Sequence, residues 1–383
     1  MIREEHIEEG RRSRYASGPK KEEEIHMKKG IRKFLAVSLA AMMALALTAC
    51  SGSGETTAQT TAETTGAAES GETAADSGSE AKSAEGLKVG LILSGPISDM
   101  SWNYTAYQGL MKIEEQGAEV FYQENVQTAD APDQFRTYST AGVDLVFVSS
   151  DSYQDITLEA APDYPDMQFI IINGSVNEGN VCSVQVSDEE QGFMMGVIAA
   201  TASQSGSVGF VGGQEITPII NGSKGFEQGA KYVNDSIQVT TTMTGSMTDT
   251  AAAKEQSIAL ADAGCDVVVP MADNASLGVL EGAEDQGIHS VGTGEGQESS
   301  GPNSMLIAVN KDTAVAYLAA FEQYLNNELP TDSTVPKYGA AEGVVSLGDW
   351  QACADEVLTD EQKQSVEDIY QQLVNGEIEI SLD

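Results

Sequence analysis

The chain has 383 residues, a formal net charge of −39, three histidines and four cysteines. A charge of that sign repels nucleic acid and anionic lipid headgroups, so neither is an expected partner. His289 is the sole histidine after residue 26, which excludes a multi-histidine metal centre and argues against Ser-His-Asp machinery.

Residues 1–26 mix Arg, Lys and Glu without apolar periodicity, and Met27 reads as the true first residue. Lys28, Lys29, Arg32 and Lys33 then precede an apolar run over residues 34–47. The run is shorter than the roughly 20 residues of a membrane-spanning helix, so 27–49 reads as an export signal. It ends in Leu47-Thr48-Ala49-Cys50, the pattern of a bacterial lipobox. Cys50 is therefore the expected lipidation site, its acyl chains (palmitate among them) holding the protein at the extracellular or periplasmic face of a cell membrane. Residues 50–86 are rich in Ser, Gly, Thr, Ala and Glu and lack aromatics. Such a composition cannot bury a core and predicts a flexible tether.

From Leu87 short apolar runs alternate with helical stretches. Val89-Gly90-Leu91-Ile92-Leu93 is followed by an amphipathic stretch over 103–116, then by Val120-Phe121-Tyr122 and an apolar run over 143–148. Phe169-Ile170-Ile171-Ile172 and a run over 181–186 complete a first series. Near-continuous apolar runs are expected of strands buried on both faces of a parallel sheet, and the alternation implies βαβ units. A second series restarts at Val208-Gly209-Phe210-Val211 and continues through 237–242, 267–269 and 288–291. A helix predicted over 311–327 places Val315, Leu318, Phe321 and Leu325 on one stripe. Two series predict two α/β lobes with a ligand cleft at the carboxyl ends of their strands.

The loop after the first strand, Ser94-Gly95-Pro96-Ile97-Ser98-Asp99-Met100-Ser101-Trp102-Asn103, leads into a helix N-terminus. Asp99 offers acceptors to ligand hydroxyl or ring N–H groups, Trp102 a flat stacking face, and Asn103 both a donor and an acceptor. The same residues also suit a helix cap, with Trp102 as core. Asp151 and Ser152 follow the strand ending at Val148, Asp273 and Asn274 follow the 267–269 strand, and Glu215 follows Gly212-Gly213. All five are candidate cleft residues, and all are residue types that turns and loops also use. Tyr104 and Tyr107 read as helix-packing residues. Cys182, Cys265 and Cys353 match no zinc motif and are too few for a disulfide framework; three buried thiols are expected, with one pair plus a free thiol as the alternative in an oxidising compartment.

The pattern Asp99-x-Ser101-Trp102-Asn103, followed by Gly109, resembles the N-terminal signature of the basic membrane protein family. These are substrate-binding lipoproteins of ABC transporters that include purine-nucleoside binders. The resemblance continues in Glu190-Gln191-Gly192-Phe193-Met194-Met195-Gly196, Val208-Gly209-Phe210-Val211-Gly212-Gly213, Gly225-Phe226-x2-Gly229 with Asn234, and Asn375-Gly376-Glu377-Ile378-Glu379-Ile380. It implies a type I periplasmic-binding-protein fold, with two doubly wound parallel-sheet lobes on a three-strand hinge. It also implies a non-enzymatic monomer with no cofactor or metal, an ABC permease as partner and a small polar ligand, a nucleoside by preference. Lobe crossings are expected near Ser187, Gly296 and Tyr338, giving 87–187 plus 297–338 as one lobe and 188–296 plus 339–383 as the other.

The chain departs from that family at three expected ligand contacts. The aromatic residue that nucleoside binders place shortly before Gly225-Phe226 is absent from Asn221-Gly222-Ser223-Lys224. The stretch whose first aspartate resembles a ribose acceptor aligns with Gly292-Thr293-Gly294-Glu295-Gly296-Gln297, so that aspartate becomes Gly294 and Glu295 is the candidate substitute. A family lysine aligns with Ile307. A sensor passing occupancy to a signalling partner would use the same recognition physics. A nucleoside hydrolase would need an Asp-rich metal loop, which the sequence lacks.

Overall fold

The computed structural model describes residues 81–383; the export signal, Cys50 and most of the tether lie outside the described residues. The first five strands are β1 (Lys88–Ile92), β2 (Glu119–Gln123), β3 (Leu145–Val148), β4 (Gln168–Ile172) and β5 (Val181–Val186). Five more follow: β6 (Ser207–Gly212), β7 (Gln238–Met243), β8 (Val267–Met271), β9 (His289–Gly292) and β10 (Met305–Lys311). Then β11 (Lys337–Tyr338) returns to the first sheet and β12 (Val345–Leu347) to the second. The two six-stranded sheets have the orders β11-β5-β4-β3-β1-β2 and β12-β10-β9-β8-β6-β7. All ladders are parallel except β10 with β12, which is the type I periplasmic-binding-protein arrangement.

Residue choice explains the layering. Central strands β3 and β4 are apolar on both faces, and Leu145, Phe147, Ile170 and Ile171 are fully buried between helices. The outer strands β2 and β7 carry Glu119, Gln238 and a Thr240-Thr241-Thr242 run, and Tyr122 stays exposed, as suits sheet edges that must not template further pairing.

The helices are α1 (Trp102–Glu114), α2 (Ala131–Ala141), α3 (Gln154–Ala160), α4 (Asp188–Ala202) and α5 (Thr217–Val233), followed by α6 (Thr250–Asp262), α7 (Ser276–Gln286), α8 (Ala314–Asn326) and α9 (Asp360–Val374). Helix α4 is buried on nearly every side and packs backbone to backbone on α5. A Cβ on Gly192 would stand 1.9 Å from Gly222 O, and one on Gly225 would stand 2.0 Å from Glu189 O. The glycines of two sequence motifs are therefore contact points between helices rather than ligand contacts.

Three crossings join the lobes, at Ser187, after Lys311, and between Tyr338 and Val345. They are laced together: Ser187 N donates to Tyr338 O (2.9 Å) and Asp312 N to Val344 O (2.7 Å). The crossing expected near Gly296 is corrected to Lys311, because β10 runs beside β9 in the second sheet and Met305–Lys311 leaves the 297–338 segment. The helix predicted from Lys311 begins at Ala314 for the same reason. Its buried stripe holds Ala314, Tyr317, Phe321 and Tyr324, while Val315, Leu318 and Leu325 are only half-buried. Tyr317 is drawn inward by Gly109 of α1, where a Cβ would come within 2.9 Å of the tyrosine Cβ. Of the three cysteines, Cys182 and Cys265 are buried, Cys353 is half-buried, and none is in a disulfide.

Candidate ligand-binding cleft

The carboxyl ends of the two sheets face one another across a narrow cavity of about 70 Å³. The first lobe contributes Ser94, Trp102, Ser150, Asp151, Ser152 and Asn173; the second contributes Gln214, Ile216, Pro218, Ile219, Met247 and Asp273. Asp188 and Lys311 close the cavity at the hinge.

The loop after β1 sets Trp102. Asp99, fully buried, accepts from Ser101 N (3.0 Å), Asn103 N (2.8 Å), Tyr104 N (3.1 Å) and Asn103 Nδ2 (2.8 Å). Those bonds satisfy orphan donors of the first turn of α1. Burial nevertheless outweighs them and raises its carboxyl above the usual range. Asn103 Oδ1 accepts from Gly95 N (3.1 Å), folding the loop back on the helix. Asp99 and Asn103 are thus internal struts and do not line the cleft, which corrects their expected ligand roles. Trp102, held between them, donates from Nε1 to Ser149 O (2.7 Å) and is 9% exposed.

The hinge supplies a charge pair. Lys311 Nζ donates to Asp188 Oδ1, and the two side chains are 8% and 4% exposed. Asn173 Nδ2 donates to the other oxygen of Asp188 (2.8 Å), while Asn173 Oδ1 accepts from Val186 N (2.9 Å). The ammonium also lies 4.9 Å from the Trp102 ring centroid, a cation–π distance that fixes one side of the indole.

Asp151 and Asp273 face the cleft from opposite lobes. Burial raises Asp151 above the usual carboxylate range; the Ser150 hydroxyl (3.3 Å) opposes this and Asp188 reinforces it. Asp273 is raised further, to about 7, by burial and then by Asp99, with Lys311 pulling the other way. Its neighbour Asn274 and the expected contact Glu215 do not line the cavity; Gln214 takes the latter's place. Ser152 does line it.

Glu295 is not a substitute for the missing aspartate. It is exposed, accepts from Asn310 Nδ2 (3.3 Å), and borders a separate groove of about 350 Å³ with Tyr104 and Asp312. The position aligned with that aspartate is closed by lobe contact, since a Cβ on Gly294 would stand 2.3 Å from Met100 O. Ile307 is buried within β10, whereas the lysine that does reach the cleft, Lys311, ends the same strand. Asp188, Lys311, Asn173, Gln214 and the aliphatic wall were not singled out in the sequence. Asn173 was accessible to the strand-end rule; the hinge pair carries no periodic signal. Among the described residues no group of three or more His, Cys, Asp or Glu side chains is placed to hold a metal ion.

A family model described as Bmp, ABC transporter substrate-binding protein PnrA-like, matches residues 87–383. The chain belongs to this family. Its members are substrate-binding proteins of ABC transporters, not enzymes. Among individual relatives, the chain is 30% identical over 271 residues to "Transcriptional activator protein med" of Bacillus subtilis, covering 70% of this chain and 84% of that protein. It is 27% identical over 305 residues to a "Purine-binding protein" of Brucella abortus, covering 79% and 85%. A solved ABC-transporter solute-binding protein from Aeropyrum pernix superposes with a TM-score of 0.68 at 21% identity, covering 78% of this chain and 94% of that one, which shows the shared fold.

Proposed function

We propose that this protein is the lipid-anchored, outward-facing receptor of an ABC importer, and that it captures a purine nucleoside between its lobes. One observation carries the ligand class. The hydrogen-bonded, cation-backed indole of Trp102 lines the same cavity as Ile216, Pro218, Ile219 and Met247 of the other lobe. A flat heteroaromatic ring fits an indole on one side and aliphatic carbons on the other, and Ser152, Asp151 and Asp273 are left for the hydroxyls of a sugar. The purine-binding relative supports the same class. Ligand contact with both lobes favours the closed state, and the closed lobes present a permease with a surface that the open ones lack. The Leu47-Thr48-Ala49-Cys50 pattern assigns anchoring to acylation of Cys50; among the described residues no helix is long and apolar enough to cross a membrane.

Titration calorimetry of refolded, ligand-stripped protein with adenosine, guanosine, inosine and uridine tests the reading. Micromolar binding of purine nucleosides, about −8 kcal/mol, is expected. Trp102→Ala should abolish the heat and, because the ring is buried, lower the melting temperature while leaving one cooperative transition. Absence of heat across the panel would reject the nucleoside.

The relative named as a transcriptional activator favours a second use of the same cleft, an occupancy signal read by a regulatory partner. A neighbouring gene pair for permease and ATPase would support import, and a neighbouring kinase the signal.

A further inference from the structure

Asp273 follows β8 at the floor of the second lobe and has two features with no internal compensation. Its backbone is left-handed, with φ 44, a region that costs a non-glycine residue strain. Its carboxylate receives no hydrogen bond from any described residue, although it lines the cavity and is half-buried. A carboxylate withdrawn even partly from water is ordinarily paired or bonded, because an unpaired one bears a desolvation cost. Among the described residues no free cation is available to it, since Lys311, the one basic residue among them that lines the cleft, is spent on Asp188. Tyr153 is spent too, its hydroxyl donating to Val126 O (2.6 Å). Asp151 reinforces the sign from the opposite lobe, its one side-chain donor among the described residues being the Ser150 hydroxyl. Strain and an unspent acceptor at one position on a ligand cavity are the marks of a group that completes its bonding only when ligand arrives.

We propose that Asp273 is the specificity-determining residue of the second lobe, accepting N–H or O–H donors from the polar end of the ligand. The cleft thereby takes neutral or cationic donor-bearing ligands and refuses their phosphorylated or carboxylated counterparts. Asp273 supplies from β8 the acceptor that Gly294, under Met100, has no room to supply from β9. The proposal rests on the cleft being the ligand site, and holds whether or not that ligand is a nucleoside.

The experiment pairs two readouts on wild type and Asp273→Asn, a variant whose side chain tolerates the same backbone. Native mass spectrometry of protein purified without refolding reads the charge class of the carried molecule. Calorimetry of stripped protein uses adenosine, its 5′-amino analogue and its 5′-phosphate as probes. A neutral or cationic carried molecule is expected, together with binding of the first two probes and exclusion of the phosphate. Asp273→Asn should weaken adenosine by about ten- to a hundredfold, the loss of one charge-assisted hydrogen bond. Stripped Asp273→Asn should melt above stripped wild type at neutral pH, since the uncompensated charge is gone. An anionic carried molecule, phosphate binding equal to adenosine, or unchanged affinity in a folded Asp273→Asn would each overturn the proposal. If no adenosine probe binds while a donor-bearing carried molecule is lost in Asp273→Asn, the nucleoside reading fails and this one stands.

Discussion

Replacing Lys311 by Met tests whether the hinge pair fixes the cleft. The substitution keeps side-chain length and removes the ammonium, leaving the 4%-exposed Asp188 with Asn173 as its remaining side-chain donor. Breaking a buried pair at one end costs about 3–5 kcal/mol, because the orphaned charge keeps its desolvation penalty. With an unfolding entropy of about 2 cal/mol/K per residue over roughly 300 residues, that loss lowers the melting temperature by about 5–8 °C. Adding Asp188→Asn removes the orphaned charge while keeping an acceptor for Asn173, and should recover more than half of the loss. Scanning calorimetry at pH 7 on stripped protein reads both effects; stripping matters because bound ligand raises the melting temperature by mass action. A single variant melting within about 1 °C of wild type, or a double variant no better than the single, would refute the argument.

Other consequences follow from the same geometry. Asp99→Ala should cost about 1.5–3 kcal/mol of stability in urea unfolding, since four N–H donors lose a charged acceptor; an unchanged midpoint would deny the strut. Gly225→Ala places a methyl on Glu189 O and should destabilise the α4–α5 contact by at least 1–3 kcal/mol, roughly the cost of overpacking. A fully stable Ala variant would show that the helices can part freely. Because the carboxyl of Asp273 is raised from 3.8 to about 7 in the folded protein, its contribution to stability is complete at acid pH and is lost as pH rises through 7. Stripped Asp273→Asn should therefore melt with wild type near pH 4 and above it near pH 8. A gap independent of pH would contradict the burial of that charge.

Much of the fold was legible because it is written in period and composition. The apolar runs of β1, β3, β4, β6 and β8 announce a doubly buried parallel sheet, and the restart at Val208 announces a second lobe. Strand β10 escaped because its short run, Met305 to Val309, abuts the periodic pattern of α8, and a short apolar run reads equally as strand or helix. The site was harder. Trp102, Asp151, Ser152 and Asp273 sit where the strand-end rule directs attention, and the structure brings them to one cavity. Asp99 and Asn103 occupy the same loop, yet capping consumes them, and residue type alone does not separate a cap from a contact. Lys311 and Asp188 are 123 residues apart, one ending β10 and the other opening α4, and meet only at the hinge, a tertiary fact with no local signature. Glu295 was expected in the cleft from its position beside a missing aspartate, but the turn over 293–297 is turned against Met100 by lobe contact.

The most direct test uses the protein's two tryptophans, Trp102 in the cleft and Trp350 outside it. In a Trp350→Phe background Trp102 is the sole indole emitter, and titration of stripped protein with adenosine or guanosine reports on its face alone. A saturable change in emission with a midpoint near the micromolar range is the predicted result. Nucleoside binding detected by calorimetry with unaltered Trp102 emission, or no binding at all, would contradict capture of the base in this cleft.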